Sequence, residues 1–261
     1  MDKRPHILLT NDDGIHSDGL FHLWKGLQEY ADISVVAPLT EKSGVGAGIS
    51  LNSPLLVHKM KWQGECDSWA VQGTPADCVK MALSVFLEKA PDLVISGINK
   101  GSNAGRSIFH SGTVGGAIEA VMRDIPSIAI SSIDYSIPNF SIAEKYVARI
   151  AKHLLAHPLP SGTLLNVNVP SAVEDIVGIR LARQGKSYWR GDPIERSHPE
   201  GFSYYWLGGG LSLFEEDEES DISLLQKGYI ACVPVYVNEL THHSEYEARK
   251  EMFNALFNHP F

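Results

Sequence analysis

An apolar run that ends in two adjacent carboxylates constrains this chain more than any other feature. Residues 7–10 are Ile-Leu-Leu-Thr and residues 11–14 are Asn-Asp-Asp-Gly. Such a run is typical of a central strand of an α/β sheet, and side chains at its carboxyl end face the crevice where open sheets bind ligands. Because Asp12 and Asp13 repel each other and resist removal from water, we expect a cation between them. No basic residue follows within several positions, so the predicted cation is a metal ion, around which Gly14 lets the backbone turn.

The same stretch also fits a plain surface turn. Asn, Asp and Gly form local hydrogen bonds and accept turn conformations, and this alone explains residues 11–14. Which of the two interpretations holds depends on the other residues that the fold brings close to Asp12 and Asp13.

Strand and helix patterns alternate over the first two thirds of the chain. Leucines and Trp24 recur at helical spacing over 17–30, with Ser17 or Asp18 as the cap, and 33–37 is the next strand. Further strands are predicted over 51–59, 68–71, 91–96, 125–132 and 164–169, and further helices from Thr74-Pro75, from Ser111 and over 141–157. We therefore expect an α/β fold, with a Rossmann-like three-layer core built on a mostly parallel sheet.

The pattern changes near residues 170–178. Segments 178–183, 204–206 and 229–237 look like strands without intervening helices, an acidic stretch covers 215–219, and 243–257 is a predicted terminal helix. We expect a catalytic core over 1–175 and, within the same structural domain, a C-terminal β-hairpin appendage with a terminal helix over 176–261. Such hairpins expose edges and aromatic side chains, which predicts an oligomerisation arm and a homodimer or homotetramer. The alternative is that the hairpins fold back on their own core.

Charge and composition exclude several classes of protein. A formal net charge of −9 repels polyanions, so we expect no nucleic acid duplex and no anionic membrane as partner. No apolar run is long enough to span a bilayer and no cationic leader is present, so a cytoplasmic location is expected. The three cysteines lack CxxC spacing and support neither a disulfide framework nor a zinc site. A small phosphorylated ligand remains compatible with these limits.

Oxygen-bearing side chains follow three of the predicted strands. Asp12 and Asp13 follow the first, Ser43 lies in the loop after the second, and Asn99 follows the strand at 91–96. Since the loops after parallel strands lie at one edge of a sheet, these side chains can converge. Carboxylate, hydroxyl and amide oxygens form a hard ligand set that suits Mg²⁺ or Mn²⁺ and disfavours zinc.

Two segments have the composition of anion-binding loops. Residues 97–105 are rich in glycine and amide side chains, and Ser111, Gly112 and Thr113 precede an apolar helical face that begins at Val114. Free N–H groups and the macrodipole at a helix N-terminus favour phosphate. We therefore predict that this helix start, together with Lys100 and Arg106, stabilises a phosphoryl group.

The combination of motifs resembles the SurE family of stationary-phase survival proteins, which are metal-dependent nucleoside monophosphate phosphatases. The similar segments, in family order, are residues 9–14, 36–38 with Ser43, 73–79, 96–101 and 110–114, followed by 166–170 and 183–185. The likeness is weaker over 191–227. The resemblance implies hydrolysis of nucleoside 5′-monophosphates, and also of 3′-monophosphates, to nucleoside and phosphate. It also implies hydrolysis of short polyphosphate, which releases phosphate.

The resemblance also implies roles for individual residues. One Mg²⁺ or Mn²⁺ per subunit is expected on Asp12, Asp13, Ser43 and Asn99, beside the bound phosphate. The expected catalytic residues are Asp12, Asp13, Asn99 and His110, and the expected substrate or phosphate contacts are Asn11, Gly14, Lys100, Asn103, Ser111, Gly112 and Thr113. The resemblance further implies subunits that exchange C-terminal segments.

Several alternatives stay open at the level of sequence. Either a water activated by the metal or one of the aspartates is the nucleophile, and we favour water because both carboxylates are committed to the metal. His110 either protonates the leaving alkoxide or only forms a hydrogen bond. Residues 188–190, Tyr-Trp-Arg, offer either a stacking surface for a nucleobase or an interface.

Rival classes lack a residue that their chemistry requires. A phospho-receiver domain also has paired acids after its first strand, but its phosphate-accepting aspartate would follow residues 94–95, where this chain has Ser96 and Gly97. A Rossmann dinucleotide enzyme needs a GxGxxG motif after the first strand, and none is present. A nucleotide-binding module without turnover is the third alternative.

Overall fold

The computed structural model describes residues 4–63, 66–170, 176–208 and 210–256. A nine-stranded sheet forms its centre, and two small two-stranded sheets lie beside it. The strands are β1 (His6–Thr10), β2 (Asp32–Pro38), β3 (Val57–Lys61), β4 (Asp67–Val71), β5 (Leu93–Lys100), β6 (Ser127–Ser132), β7 (Thr163–Val169), β8 (Gly178–Leu181), β9 (Tyr188–Trp189), β10 (Pro193–Ser197), β11 (Ser203–Leu207), β12 (Leu211–Ser212) and β13 (Tyr229–Tyr236).

The order of strands in the large sheet shows how the chain winds. The order is β3-β4-β2-β1-β5-β6-β7-β13-β8. The six strands from β4 to β7 are parallel to one another, whereas β3 and β13 run antiparallel to β4 and β7. From β1 the chain first winds outward to β2 and β4, and it then returns to the other side of β1 with β5. The carboxyl ends of β1 and β5 therefore form a topological switch point, where open α/β sheets bind ligands.

Helices cover both faces of the sheet, as expected for a three-layer α/β fold. The helices are α1 (Asp18–Leu27), α2 (Pro75–Met81), α3 (Gly112–Val121), α4 (Ser141–Ala156), α5 (Asp221–Gln226) and α6 (His243–Leu256), with a π-helical turn over Ala82–Phe86 and a 3₁₀ segment over Gly105–His110. Leu23 of α1 and Val147 of α4 pack in one apolar layer, and Val79 of α2 and Val114 of α3 lie on the opposite face. The predicted fold class is confirmed.

Side-chain caps fix three of the helix starts that the sequence predicts. The Ser17 hydroxyl accepts the Leu20 N–H, and Thr74 and Asp77 form a reciprocal capping box at α2. Ser111 accepts the Val114 N–H at α3 over 3.1 Å. Each cap satisfies backbone donors that have no partner inside the helix.

The chain after residue 176 differs from the predicted appendage in two ways. First, β13 lies between β7 and β8 inside the large sheet, so the sheet extends beyond residue 175. The prediction that these strands belong to detached hairpins is wrong, because apolar side chains of β13 complete the core next to β7 and β8 pairs with β13. Second, α5 lies among strands that were expected to have no helix between them. The predicted boundary segment 171–175 lies outside the described residues.

The part that does leave the core is shorter than predicted. β10 pairs with β11, and β9 pairs with β12, in two antiparallel hairpin sheets. Every residue of β10 and β11 is exposed. α6 has no buried residue among those described, and its predicted end at Phe257 lies outside them. Within the described ranges, no helix is both long enough and apolar enough to cross a bilayer.

Candidate active site

The predicted site lies at the switch point between β1 and β5. Asp12 and Asp13 follow directly after β1, and Asn99 and Lys100 are the last two residues of β5. The sequence pattern places Asn99 in a loop, but β5 continues past an irregularity between Ser96 and Asn99 and pairs again with β6. The strand itself therefore brings Asn99 to the level of the two aspartates.

A tight turn carries the two aspartates. The Asn11 side chain donates to the Gly14 carbonyl over 3.0 Å and to the Ser17 hydroxyl over 2.6 Å, and it accepts the Gly14 N–H over 3.2 Å. Gly14 has a φ of +100°, which favours glycine. Residues 11–14 thus do form a turn, which the side chain of Asn11 and the backbone of Gly14 stabilise. The side chains of Asp12 and Asp13 take no part in these hydrogen bonds.

Asp12 is buried against the start of α3. Only 4% of Asp12 is exposed, and the Thr113 hydroxyl donates to its Oδ1 over 2.5 Å. Burial raises the pKa of Asp12, although the hydrogen bond from Thr113 opposes this shift. The sequence did not indicate this contact between Asp12 and Thr113. It joins the end of β1 to α3, the helix whose start is predicted to bind phosphate.

Asp13 is the least satisfied carboxylate of the site. Burial, and then the neighbouring charge of Asp12, raise the pKa of Asp13 to about 6. Its Oδ2 accepts the Lys100 N–H over 3.2 Å, whereas its buried Oδ1 has no hydrogen-bond partner among the described residues. The Lys100 ammonium lies 3.9 Å from that oxygen. An unpaired buried carboxylate oxygen is costly unless a cation approaches it.

Glu41 and Tyr135 belong to the surroundings of the site, although sequence reasoning did not select either. The Lys100 ammonium lies 3.5 Å from a Glu41 oxygen and 5.6 Å from the centre of the Tyr135 ring. Burial lowers the pKa of Lys100, but Asp13 and Glu41 raise it by more, so Lys100 stays protonated. The only sequence signal for Glu41 is its position two residues before Ser43.

The donor atoms fit a hard divalent cation. The Ser43 hydroxyl donates its hydrogen to Glu41 over 2.7 Å, and the Asn99 amide nitrogen donates to the Gly101 carbonyl over 2.8 Å. In each case the hydrogen-bearing side is used, and oxygen lone pairs remain as the available acceptors. The described part of the chain has no cluster of three His, Cys, Asp or Glu residues that could hold a metal. A metal site here therefore requires the hydroxyl and amide oxygens as well as Asp12 and Asp13.

The helix start predicted to bind phosphate lies against Asp12. Ser111 and Thr113 already use their hydroxyls, for the α3 cap and for Asp12, and the Ser111 N–H donates to Ile108 over 3.3 Å. Gly112 has no space for a side chain, since a Cβ there would lie 2.9 Å from the Asp12 Cβ and 3.1 Å from the Lys42 carbonyl. The Gly112 Cα is thus packed closely against Asp12, and the hydroxyls on both sides of it are already engaged.

Asn103 and His110 occupy different surroundings. Asn103 is buried, and its side chain donates to Ser131 over 2.7 Å, while its backbone is held by Asn166 and Asn168 of β7. The exposed His110 ends the 3₁₀ segment directly before Ser111. Asn103 therefore anchors the loop after β5, and the His110 side chain lies at the surface next to the start of α3.

The base of the hairpins contacts the 3₁₀ segment. The Trp189 N–H donates to the Ser107 hydroxyl over 3.1 Å, and Tyr188 stacks on Phe214 with ring centres 6.2 Å apart. The guanidinium of Arg106 lies 5.4 Å from the Phe214 ring centre. Aromatic surface of the hairpin region thus lies on the segment that leads to α3.

Fold and site together define a class: doubly wound α/β proteins with two adjacent carboxylates in a crevice at the switch point, beside a helix N-terminus. A family model described as "Survival protein SurE" matches residues 7–191. The chain belongs to the SurE family.

Relatives with this likeness cover nearly the whole chain. A "5'-nucleotidase SurE" of Protochlamydia amoebophila strain UWE25 is 47% identical over 261 residues, 99% of this chain and 100% of that protein. A protein of the same name from Heliobacterium modesticaldum is 41% identical and covers 91% of this chain and 88% of its own length. The crystal structure of the SurE protein from Aquifex aeolicus superposes with a TM-score of 0.81 at 36% identity, over 95% of this chain and 100% of that one.

Proposed function

We propose that this protein hydrolyses nucleoside 5′-monophosphates to nucleoside and inorganic phosphate, with the help of a divalent metal ion. The observation that carries this proposal is the pair of adjacent buried carboxylates, Asp12 and Asp13, beside the start of α3. The name 5'-nucleotidase that its relatives bear supports the substrate class. We include 3′-monophosphates and short polyphosphate as further substrates.

The proposed metal ligands are Asp12, Asp13, Ser43 and Asn99. Their oxygens would hold one Mg²⁺ or Mn²⁺ per subunit, in line with the Asp13 Oδ1, which accepts no hydrogen bond from the described part of the chain. A bound divalent ion supplies polarisation of the phosphoryl oxygens and a lower pKa for bound water. Ligands that are all oxygens favour these metals over zinc or copper.

The protein's own groups would bind and orient the phosphate. The Gly112 backbone and the α3 macrodipole attract an anion, and the Lys100 ammonium offsets its charge. We propose these two as direct contacts. Five other predicted contacts would shape the crevice around them: Asn11, Gly14, Asn103, Ser111 and Thr113.

The roles of the nucleophile and the general acid form a separate part of the proposal. We favour water as nucleophile because Asp12 is engaged by Thr113 and Asp13 by the Lys100 N–H. Direct attack by an aspartate is the alternative. His110, at the surface beside Ser111, would protonate the leaving alkoxide, and the alternative is a hydrogen bond only.

We also propose that the working enzyme is a homodimer or homotetramer that contacts its partner through the hairpins. Exposed aromatic side chains on β11 and β9 support this, since a monomer would leave them in water. Residues 188–190, at the base of the hairpins, would offer the nucleobase a stacking surface, and the alternative is that they pack in the subunit interface. A cytoplasmic location remains a prediction.

The test is a panel of nucleoside 5′- and 3′-monophosphates, assayed after chelation and after addition of Mg²⁺ or Mn²⁺. We expect activity to vanish with chelation, to return with metal, and to fall at least about a hundredfold in Asp13→Asn. Asp18→Asn is a matched control, because Asp18 is an exposed carboxylate in the first turn of α1, and it should keep the wild-type rate.

Two results would contradict the proposal. Hydrolysis that survives thorough chelation would remove the metal from the reaction. Nucleotide binding without turnover at any metal concentration would instead favour the binding-module alternative.

A further inference from the structure

A buried carboxylate outside the crevice binds the backbone of two separate loops. Asp221, the first residue of α5, is 0% exposed. Its Oδ2 accepts the Gly105 N–H over 2.9 Å, and its Oδ1 accepts the N–H groups of Gly185 and Ile222 over 2.9 and 2.8 Å. The Gln184 amide lies 3.4 Å from Oδ2. Both carboxylate oxygens are therefore used to join the two loops at a buried point.

The backbone at Gly105 and Arg106 forms hydrogen bonds with Gln184, Ser187 and Asp221. The Gly105 carbonyl accepts a hydrogen bond from the Gln184 side chain, and the Arg106 N–H donates to the Ser187 carbonyl over 2.9 Å. Gly105 has a φ of +58°, and a Cβ there would collide with the Ser187 carbonyl. The two loops are therefore packed so closely at this junction that only glycine fits at residue 105.

This junction is the start of the segment that leads to the proposed phosphate contact. The 3₁₀ segment begins at Gly105 and ends at His110, directly before Ser111 and Gly112. Only the 6 residues of this segment separate the junction from Ser111, which caps α3. The position of Gly105 thus helps to set the position of Gly112 against Asp12.

We propose that Asp221 is a positioning residue for the reaction: it fixes the start of the 3₁₀ segment at Gly105 and thereby aligns the N-terminus of α3 with Asp12. This inference rests on the proposed function, in which that N-terminus binds the phosphate. Asp221 does not touch the crevice itself, since its described partners are loop N–H groups and the Gln184 side chain.

The geometry requires a carboxylate rather than an amide. Each oxygen of Asp221 accepts from a different loop, so an asparagine would turn its NH₂ group towards the N–H of either Gly105 or Gly185. Asp221→Asn therefore removes one of the two connections with almost no change of volume. Gln184→Met removes the donor to the Gly105 carbonyl at an exposed residue and keeps a side chain of similar length.

The experiment measures hydrogen exchange and steady-state kinetics on the full-length protein and its variants. In Asp221→Asn we expect faster exchange in peptides that cover 102–113, and a kcat with a 5′-monophosphate and metal that is lower by about tenfold to a hundredfold, with a smaller change in KM. Gln184→Met should show the same pattern at severalfold magnitude. Ser220→Ala is the matched control: it removes the hydroxyl that caps α5 and keeps Asp221, so both readouts should stay near wild type.

The outcomes distinguish this inference from the proposed function. An active wild-type enzyme whose Asp221→Asn and Gln184→Met variants keep wild-type exchange over 102–113 and wild-type kcat would overturn the positioning role alone. Equal losses in Ser220→Ala and Asp221→Asn would also overturn it, because the effect would then come from α5 in general. A wild-type protein without nucleotide hydrolysis would refute the proposed function, and exchange over 102–113 would still decide whether Asp221 holds the segment.

Discussion

The crevice at the switch point and the hairpins β10-β11 place their side chains in opposite ways. In the crevice a charged residue is hidden, with Asp12 only 4% exposed, whereas in the hairpins the indole of Trp206 is 66% exposed. A buried carboxylate is costly without a cation, and an exposed aromatic surface is costly without an apolar cover. Each region thus lacks a partner. The crevice lacks a positive charge that would balance its carboxylates, and the hairpins lack an apolar surface that would cover their aromatic side chains.

The two regions also differ in what supports them. β1 is flanked by β2 and β5 and covered by helices on both faces, whereas β10 has one neighbour and no covered face. An isolated two-stranded hairpin is marginally stable in water. We therefore expect substitutions in the core to affect folding and catalysis, and substitutions in the hairpins to affect association.

The largest expected difference concerns the same truncation in each region. Leu9 is 0% exposed in β1 and Leu207 is 75% exposed in β11. Leu9→Ala leaves a cavity and should lower the free energy of unfolding by about 2–5 kcal/mol, whereas Leu207→Ala should change it by less than about 0.5 kcal/mol. Denaturant titration of both variants checks this, and equal losses would erase the distinction.

A second pair of substitutions compares space around two glycines. A Cβ at Gly112 meets Asp12 at 2.9 Å, whereas one at Gly210, beside β12, meets nothing within 4 Å. Gly112→Val should displace α3 from Asp12 and lower kcat by about a hundredfold, the typical cost of losing one positioned donor. Gly210→Val should keep the wild-type rate. Normal kinetics for Gly112→Val would refute the proposal that the start of α3 binds the phosphate. That result would not affect the proposed metal site.

A weaker effect is expected from pH on the chelated protein. The folded state raises the pKa of Asp13 from 3.8 to about 6, so between these values it binds a proton that the unfolded chain has released. The free energy of unfolding should therefore fall as pH rises through this window and stay low above it. Thermal unfolding in chelator, at pH 4 to 7, should show this slope in the wild type and a flatter one in Asp13→Asn. No difference between the two would contradict the burial of an unpaired charge.

The smallest effect on folding is expected for the hairpin aromatics. Trp206→Ser should shift the mass measured by light scattering towards that of a single 28.6 kDa chain, with less than about 0.5 kcal/mol of change in unfolding. Val85→Ser is the control and should leave the mass unchanged. Val85 is an apolar residue of similar exposure that lies in the π-helical turn, away from the hairpins. A wild-type protein that is already a fully active monomer would exclude the hairpins as a required interface.

Local signals in the sequence predicted the core well. Helix starts could be predicted at Ser17, Thr74 and Ser111, because a cap depends only on residues close by in the sequence. The carboxylate pair after β1 indicated the crevice for the same reason: an apolar run that ends in two charges can be recognised within a few positions.

Features set by distant contacts were missed or misplaced. The pairing of β13 with β7 depends on register between segments far apart in the chain, and no local pattern reveals it. Asn99 belongs to β5 only because pairing with β6 resumes beyond the irregularity. The contacts of Glu41 and Asp221 could not be predicted from the sequence, since their partners, Lys100 and Gly105, are distant in the chain.

The late position of β13 has a consequence for how a growing chain folds. The strands up to β7 leave the ribosome first, and β13, the direct neighbour of β7, is synthesised only after β8, both hairpins and α5. Until then the nascent sheet carries an open edge at β7, and open edges pair readily with other chains. A chain interrupted before residue 229 would keep that edge. β13 thus covers the β7 edge only late in synthesis, and we expect chains terminated before it to aggregate or be degraded rather than to persist as partial enzymes.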